Sequence, residues 1–138
     1  MTRTNILGLC AAVAVLVSAC AAPNRPGSEQ ADMEPTFRVI RSEEAIEMLA
    51  QDPSILLIDV RTAGEFGSVH AVGALNLPLP DLAATIGGHA EDYGHTIIIY
   101  CQTGRRSREG AQALIDAGYT SVFDAGGIVG WAGETVSP

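Results

Sequence analysis

The sequence predicts an α/β domain with a central parallel sheet and helices on both faces. Residues 55–60 (ILLIDV) and 96–100 (TIIIY) are continuous runs of mostly apolar, β-branched or aliphatic residues, as is typical of strands buried on both faces. Apolar residues at helical spacing (Ala111, Leu114 and Ile115) follow the second run. Because strand-like and helix-like patterns alternate along the chain, we expect parallel strands joined by crossover helices.

The other elements follow from shorter patterns and from capping residues. Ser42 is expected to cap a helix with acidic residues in its first turn, and Gly118 to end the last helix. The predicted elements are, in order, a strand at 37–40, a helix at 43–52, strands at 55–60 and 74–79, a small helix at 81–86, a strand at 96–100, a helix at 107–117, and a strand with a glycine turn at 120–127. Residues 37–138 are therefore predicted to form one domain of about 100 residues, a usual size for a single core.

Residues 1–19 resemble a secretory signal peptide rather than part of a fold. Arg3 precedes an uninterrupted apolar run at 6–17, ILGLCAAVAVLV, and small residues follow. A membrane-spanning helix needs about 20 apolar residues, and this run has twelve. Permanent spanning is therefore the weaker interpretation.

The residues around Cys20 resemble the lipobox of bacterial lipoproteins, in which the cysteine becomes the lipidated N-terminus. Ser18 and Ala19 supply the small residues before it, and residue 21 is Ala rather than Asp, which favours an outer-membrane anchor. The resemblance implies an extracytoplasmic protein, periplasmic or at the cell surface, anchored through Cys20. The alternative is ordinary cleavage after Ala19-Cys20-Ala21, which would leave a soluble protein.

Residues 20–36 are predicted to be the lipidated cysteine and a flexible tether. The stretch AAPNRPGSEQADMEPT at 21–36 is rich in proline and polar residues and has no apolar period. A coil of this length reaches roughly 20–24 Å, enough to hold a small domain away from a bilayer.

The charge of the chain excludes several classes of partner. Without the predicted signal, seven arginines stand against sixteen acidic residues, a net charge of −9, and the chain has no lysine. Such a surface disfavours nucleic acid and anionic lipid as partners. An anionic ligand must therefore find a local basic site.

Cys101 is expected to be an unpaired thiol. Cys10 leaves with the predicted signal and Cys20 carries the lipid, so no intramolecular partner remains, and such a cysteine is a candidate reactive thiol. It stands at the carboxyl end of a predicted parallel strand, where sites in this class of fold lie. The alternative is an inert buried cysteine.

The loop that follows, CQTGRRS at 101–107, offers three sources of positive potential. Gly104 allows a tight turn whose N–H groups point inward, the helix beginning near Ser107 adds its positive end, and Arg105 and Arg106 add fixed charge. Positive potential favours the thiolate. The loop therefore predicts a nucleophilic cysteine in a cradle that binds a small anion.

Two kinds of reaction use a cysteine in such a cradle, namely the transfer of an oxyanion group and the transfer of sulfur. Cysteine phosphatases and some arsenate reductases have the spacing C-x5-R, whereas here Arg106 is the fifth residue after Cys101 and residue 100 is Tyr rather than His. A shorter ring of N–H groups suits a single sulfur better than a tetrahedral phosphoryl group.

The loop resembles the active-site loop of single-domain rhodaneses, the thiosulfate sulfurtransferases. Three further stretches resemble that family in order and spacing, namely IDVRTAGEF at 58–66, HAVGALNLP at 70–78 and GGIVGW at 126–131. The resemblance covers about residues 37–133. Val69, Ala71 and Val72 depart from the family pattern, and none of them lies in the loop.

This resemblance implies a rhodanese-like domain that forms a persulfide on Cys101 and passes the sulfur to a thiol or cyanide. Arg106 is expected to shape the cradle and bind the donor. Residues expected to bind substrate are Gln102, Thr103, Gly104, Arg105 and Ser107; residues expected to support the site are Asp59, Arg61, Glu65, His70, Asn76 and Trp131. Arg61 and Glu65 are spaced to pair if their turn is helical. No metal, cofactor or nucleic acid is implied, and a monomer is expected. The alternative is a persulfide carrier or sensor for a protein partner, and a phosphatase or arsenate reductase is the weaker third option.

Overall fold

A computed structural model describes residues 36–137. Its strands are β1 (Arg38–Val39), β2 (Leu56–Asp59), β3 (His70–Ala71), β4 (Leu75–Asn76), β5 (Ile97–Cys101), β6 (Val122–Gly127) and β7 (Thr135–Val136). Its helices are α1 (Ser42–Gln51), α2 (Ala63–Ser68), α3 (Leu82–Thr85) and α4 (Arg105–Asp116), and the 3₁₀ turns Leu79–Asp81 and Ile86–Gly88 flank α3.

Five parallel strands form the central sheet in the order β1-β6-β5-β2-β4. Every residue of the central strand β5 is buried, because helices cover both faces. The predicted fold class is therefore confirmed. The carboxyl ends of β2, β5 and β6 meet at one edge, which places Asp59, Cys101 and Gly127 near one another.

The alternation of side chains divides the core between the two faces. Ile97, Ile99 and Cys101 face α3 and α4, whereas Ile98 and Tyr100 face α1. Helix α4 lies especially close to the sheet, since a Cβ on Gly110 would come within 2.7 Å of the Ile99 side chain. This close packing fixes the position of the helix that begins just after Cys101.

Of the two predicted helix caps, Gly118 is confirmed and Ser42 is wrong. Gly118 (φ +104°) ends α4 as predicted: its N–H donates to Ile115 O (2.9 Å) and the next N–H donates to Leu114 O (3.0 Å). The prediction for Ser42 is wrong, because Ser42 is the first residue of α1 and its hydroxyl accepts a hydrogen bond from Ala132 N–H (3.3 Å) instead of capping the helix.

Three further features differ from the prediction. Helix α4 begins at Arg105 rather than 107, so both loop arginines belong to its first turn. Helix α2 and the antiparallel pair β3–β7 were not predicted. The strand expected at 74–79 is confined to Leu75–Asn76 because a 3₁₀ turn begins at Leu79.

The predicted signal peptide (1–19), the lipid attachment at Cys20 and the tether, except residue 36, lie outside the described residues. They stay predictions. Between residues 36 and 137, the structure contains no helix with the length and apolar character needed to cross a bilayer.

Candidate active site

The site is built on a short connection between β5 and α4. Cys101 is the last residue of β5, and only Gln102, Thr103 and Gly104 separate it from α4. Gly104 adopts φ +100°, a conformation that L side chains rarely take, and its N–H donates to Cys101 Sγ at 3.1 Å. The turn therefore directs backbone donors back at the sulfur.

The surroundings of Cys101 favour its thiolate. The side chain is 1% exposed, and burial by itself raises the pKa of the thiol. Hydrogen bonds from the Ser107, Gly104 and Thr103 backbone N–H groups and from the Ser107 hydroxyl outweigh burial, so the pKa of Cys101 lies below its ordinary value. The sulfur is therefore a buried nucleophile that its loop stabilises as an anion.

Strand β6 packs against the backbone of the loop. A Cβ on Gly127 would meet Gln102 O and would lie 2.7 Å from Thr103 Cα, so only glycine allows this approach. Cys101 O accepts a hydrogen bond from Ile128 N–H at 2.8 Å. The Ser107 hydroxyl lies 3.1 Å from both Gly104 O and Gly126 O.

A buried ion pair holds the other side of the loop. Arg61, 1% exposed, donates through Nε to both Asp59 oxygens at 3.0 Å and through Nη1 to Gln102 Oε1 at 3.1 Å. Asn76 Nδ2 donates to the carbonyl oxygens of Asp59 (3.0 Å) and Arg61 (2.9 Å). Arg61 therefore pairs with Asp59 rather than with Glu65, and the predicted Arg61–Glu65 pair is wrong because Arg61 precedes α2.

Glu65 instead binds Arg106 across 41 residues of sequence. The guanidinium donates to both carboxylate oxygens, at 2.8 and 2.6 Å. Glu65 also forms a capping box with Thr62 at the start of α2. The Arg106 fork and the Thr62 N–H lower the pKa of Glu65 to about 2. The pair ties α2 to the first turn of α4.

The family assignment follows from comparison with known proteins. The profile of the Rhodanese-like domain family matches residues 42–134, which include the loop and both ion pairs. The chain belongs to this family.

Several relatives and solved structures are similar to this rhodanese domain. Thiosulfate sulfurtransferase PspE of Escherichia coli is 37% identical over 71 residues, which cover 51% of this chain and 68% of that protein. Thiosulfate sulfurtransferase GlpE of Glaesserella parasuis is 32% identical over 100 residues, 72% of this chain and 90% of that protein. A solved structure described as rhodanese with anions from E. coli has a TM-score of 0.58 and 33% identity, and the match covers 61% of this chain and 99% of that one.

The arginines of this rhodanese loop are neutralised more fully than the sequence suggests. Every arginine near the loop has a carboxylate partner: Arg61 with Asp59 (2.6 Å), Arg105 with Glu109 (2.9 Å), Arg106 with Glu65 (2.6 Å) and Arg108 with Asp124 (3.9 Å). Positive potential at the sulfur therefore comes mainly from backbone N–H groups and the start of α4.

Two predicted support residues pack against other aromatic rings. His70 stacks on Phe66, with ring centroids 3.8 Å apart, and its Nδ1 lies 2.8 Å from Phe66 O. Trp131 packs against Tyr100 at 5.4 Å on the α1 face, whereas Cys101 faces α4.

Two contributors were missing from the predicted site residues. Thr62 had a recognisable signal, the T-x-x-E pattern of a capping box at 62–65. Gly127 gave a weaker one, since a glycine pair predicts a turn but not a close contact with a particular loop. Among residues 36–137, no group of three His, Cys, Asp or Glu side chains could hold a metal ion.

Proposed function

We propose that this protein is a sulfurtransferase that moves a sulfane sulfur from thiosulfate, or a similar donor, to a thiol or to cyanide through a persulfide on Cys101. The observation that carries the proposal is the Cys101 sulfur, held 3.1 Å from the Gly104 N–H in a loop that lowers the pKa of the thiol. The names of the sulfurtransferase relatives support the same chemistry.

Two displacements complete the reaction. The Cys101 thiolate attacks the outer sulfur of thiosulfate, the bond between the two sulfurs breaks, and sulfite leaves with the electron pair. The thiolate of the acceptor then attacks the terminal sulfur of the persulfide and regenerates the Cys101 thiolate; cyanide gives thiocyanate. Loop N–H groups stabilise the sulfur anion at both stages, and a hydrogen bond to a charged group contributes about 1.5–3 kcal/mol.

The position of Arg106 disfavours phosphatase or arsenate reductase chemistry. The Nη1 and Nη2 groups of its guanidinium bind the two Glu65 oxygens, so the end-on fork that would clamp a tetrahedral oxyanion is occupied. Arg106 therefore acts as a positioning residue that holds the first turn of α4, and its role as a ligand of the donor stays a prediction.

We also propose an extracytoplasmic localisation for the protein. The apolar run at 6–17 and the small residues before Cys20 support a lipoprotein, with the rhodanese domain held outside the cytoplasm on the tether at 20–36. Mass spectrometry of the mature protein tests this directly, because lipid on an N-terminal Cys20 agrees with it and an intact residue 1 contradicts it.

Steady-state assays test the activity. The purified chain is expected to form thiocyanate from thiosulfate and cyanide, and Cys101→Ser is expected to abolish this turnover. Loading with sulfur but no turnover with any small acceptor would identify a carrier instead, and activity that survives in Cys101→Ser would disprove the site.

A further inference from the structure

A cavity lies beside the loop that holds Cys101, between strands β1 and β6 and the first turns of α4. Its volume is about 480 Å³, within the usual range for small-molecule sites. Its walls include Thr103, Gly104, Arg105, Arg108, Glu109 and Asp124. It shares Thr103 and Gly104 with the loop that holds Cys101.

Asp124 is the unusual residue in this cavity. The residue is 1% exposed, and its Oδ1 accepts a hydrogen bond from Gly126 N–H at 2.9 Å. Its Oδ2 lies 3.9 Å from Arg108 Nε, too far for a hydrogen bond. None of the described residues donates a hydrogen bond to Oδ2, and Asp124 lines the cavity, so Oδ2 is available to a cationic donor that enters it.

The charges of the cavity are balanced. Arg105 and Arg108 stand against Glu109 and Asp124, so the formal charges cancel. The Arg105–Glu109 pair is exposed on both sides, and exposed ion pairs are weak and can be exchanged. The side chain of Arg108 is 67% exposed and lies too far from Asp124 for a hydrogen bond. A simple anion gains little here because it would approach the buried carboxylate, and a simple cation would meet both arginines.

We propose that this cavity binds a small zwitterion, the aminocarboxylate group of an amino-acid thiol that accepts sulfur from Cys101. The ammonium binds Asp124 Oδ2, and the carboxylate binds the guanidinium groups of Arg105 and Arg108. Gly126 links the two sites, because its N–H binds Asp124 and its carbonyl lies 3.1 Å from the Ser107 hydroxyl. The role as acceptor site rests on the proposed sulfurtransferase function, whereas the binding itself does not.

Binding is tested with S-methylcysteine, which carries both charges but has no free thiol. Calorimetry and amide chemical shifts of the full chain are expected to show one saturable site, with shifts at Gly104 and Gly126. 2-(Methylthio)ethylamine and 3-(methylthio)propionate each lack one charge and are expected to bind about tenfold more weakly or worse. Equal binding of all three compounds, or shifts of the same amides by sulfate alone, would overturn the proposal.

Substitutions of Asp124 and Arg108 test whether these residues bind the zwitterion. Asp124→Asn keeps an acceptor for Gly126 N–H but removes the charge, and it is expected to weaken S-methylcysteine binding about tenfold. Asp116→Asn removes the same charge from the exposed far end of α4 and is the matched control. Arg108→Gln, on an exposed side chain, gives a second test if Asp124→Asn folds poorly. Unchanged affinity in both Arg108→Gln and a folded Asp124→Asn would overturn the site.

The role in sulfur transfer has a separate measurement. If the cavity positions the acceptor, Asp124→Asn raises KM for cysteine as acceptor, and an unchanged KM contradicts that role. A chain that binds S-methylcysteine but transfers no sulfur would disprove the proposed function and leave the binding site standing.

Discussion

At the scale of single residues, the site depends on how Cys101 is solvated by its own loop. Burial alone would make the thiol a poor nucleophile, because a charged sulfur is costly in an apolar surrounding. The backbone donors of residues 103, 104 and 107 replace water, and the pKa falls below the ordinary value despite 1% exposure. The loop therefore keeps the thiolate available where solvent is excluded.

Ser107 allows a test at this scale. Its hydroxyl lowers the pKa of Cys101, but it also lies 3.1 Å from two carbonyl oxygens, and one proton must serve three acceptors. Ser107→Ala is expected to raise the pKa of Cys101, while Ser107→Thr retains the hydroxyl and serves as control. The rate of alkylation by iodoacetamide as a function of pH measures this pKa. An identical profile in Ser107→Ala would mean that the backbone N–H groups alone set it.

At the scale of elements, the loop is held by neighbours that are distant in sequence. Gly127 of β6 lies against the loop backbone, Arg61 after β2 binds Gln102, and Glu65 of α2 binds Arg106. These contacts link three separate segments to the start of α4. The geometry of the cradle is therefore a property of the assembled sheet edge and not of the loop sequence alone.

The Glu65–Arg106 pair predicts a dependence of stability on pH. The pKa of Glu65 falls from its usual 4.5 to about 2, so the pair stabilises the native state above about pH 4.5 and loses this contribution as the pH falls towards 2. Glu65→Gln is expected to lower the free energy of unfolding at pH 7 by about 1 kcal/mol, since the pair is partly exposed and screened. The difference from wild type should shrink between pH 4.5 and 2.

Urea unfolding at several pH values measures this difference. Glu47→Gln, at an exposed position of α1, is the control and should change stability little at any pH. A Glu65→Gln deficit that persists unchanged at the lowest pH would contradict the role of the carboxylate charge.

The parts of the fold that could be predicted are those encoded by local patterns. Three consecutive isoleucines in β5 and the apolar run in β2 predicted buried strands, and the position of Cys101 followed from them. The start of α4 was predicted too late, because a glycine followed by two arginines has the composition of a loop. Helix α2 was missed since its sequence, AGEFGS, has two glycines among six residues.

The pairings between distant segments could not be predicted. The β3–β7 ladder joins residues 70 and 136, and Glu65 meets Arg106 across 41 residues. No local pattern selects such partners. Arg61, for example, has one carboxylate two residues before it, on Asp59, and another four residues after it, on Glu65. The structure selects Asp59 because α2 begins only at Ala63, which places Arg61 outside the helix.

At the scale of the whole molecule, electrostatics opposes an anionic donor. The chain carries a formal charge of −8 at pH 7, and each arginine near the loop has a carboxylate partner. The charges near the loop therefore balance one another and do not offset the long-range repulsion of thiosulfate, whereas the loop N–H groups attract it at short range.

Salt should therefore favour the reaction with thiosulfate. We expect kcat/KM for thiosulfate to rise about two- to tenfold between low ionic strength and about 0.15 M, because salt screens the repulsion. Initial rates at constant pH in chloride salts measure this. A fall of kcat/KM with added salt would mean that local arginines dominate the approach of the donor.

The most direct test of the whole account is the intact mass of the reduced protein before and after incubation with thiosulfate, followed by peptide mapping. We expect a gain of one sulfur atom, located on Cys101 and removed by cyanide or a thiol with regeneration of the starting mass. A chain whose Cys101 reacts with iodoacetamide but gains no sulfur from thiosulfate would contradict it.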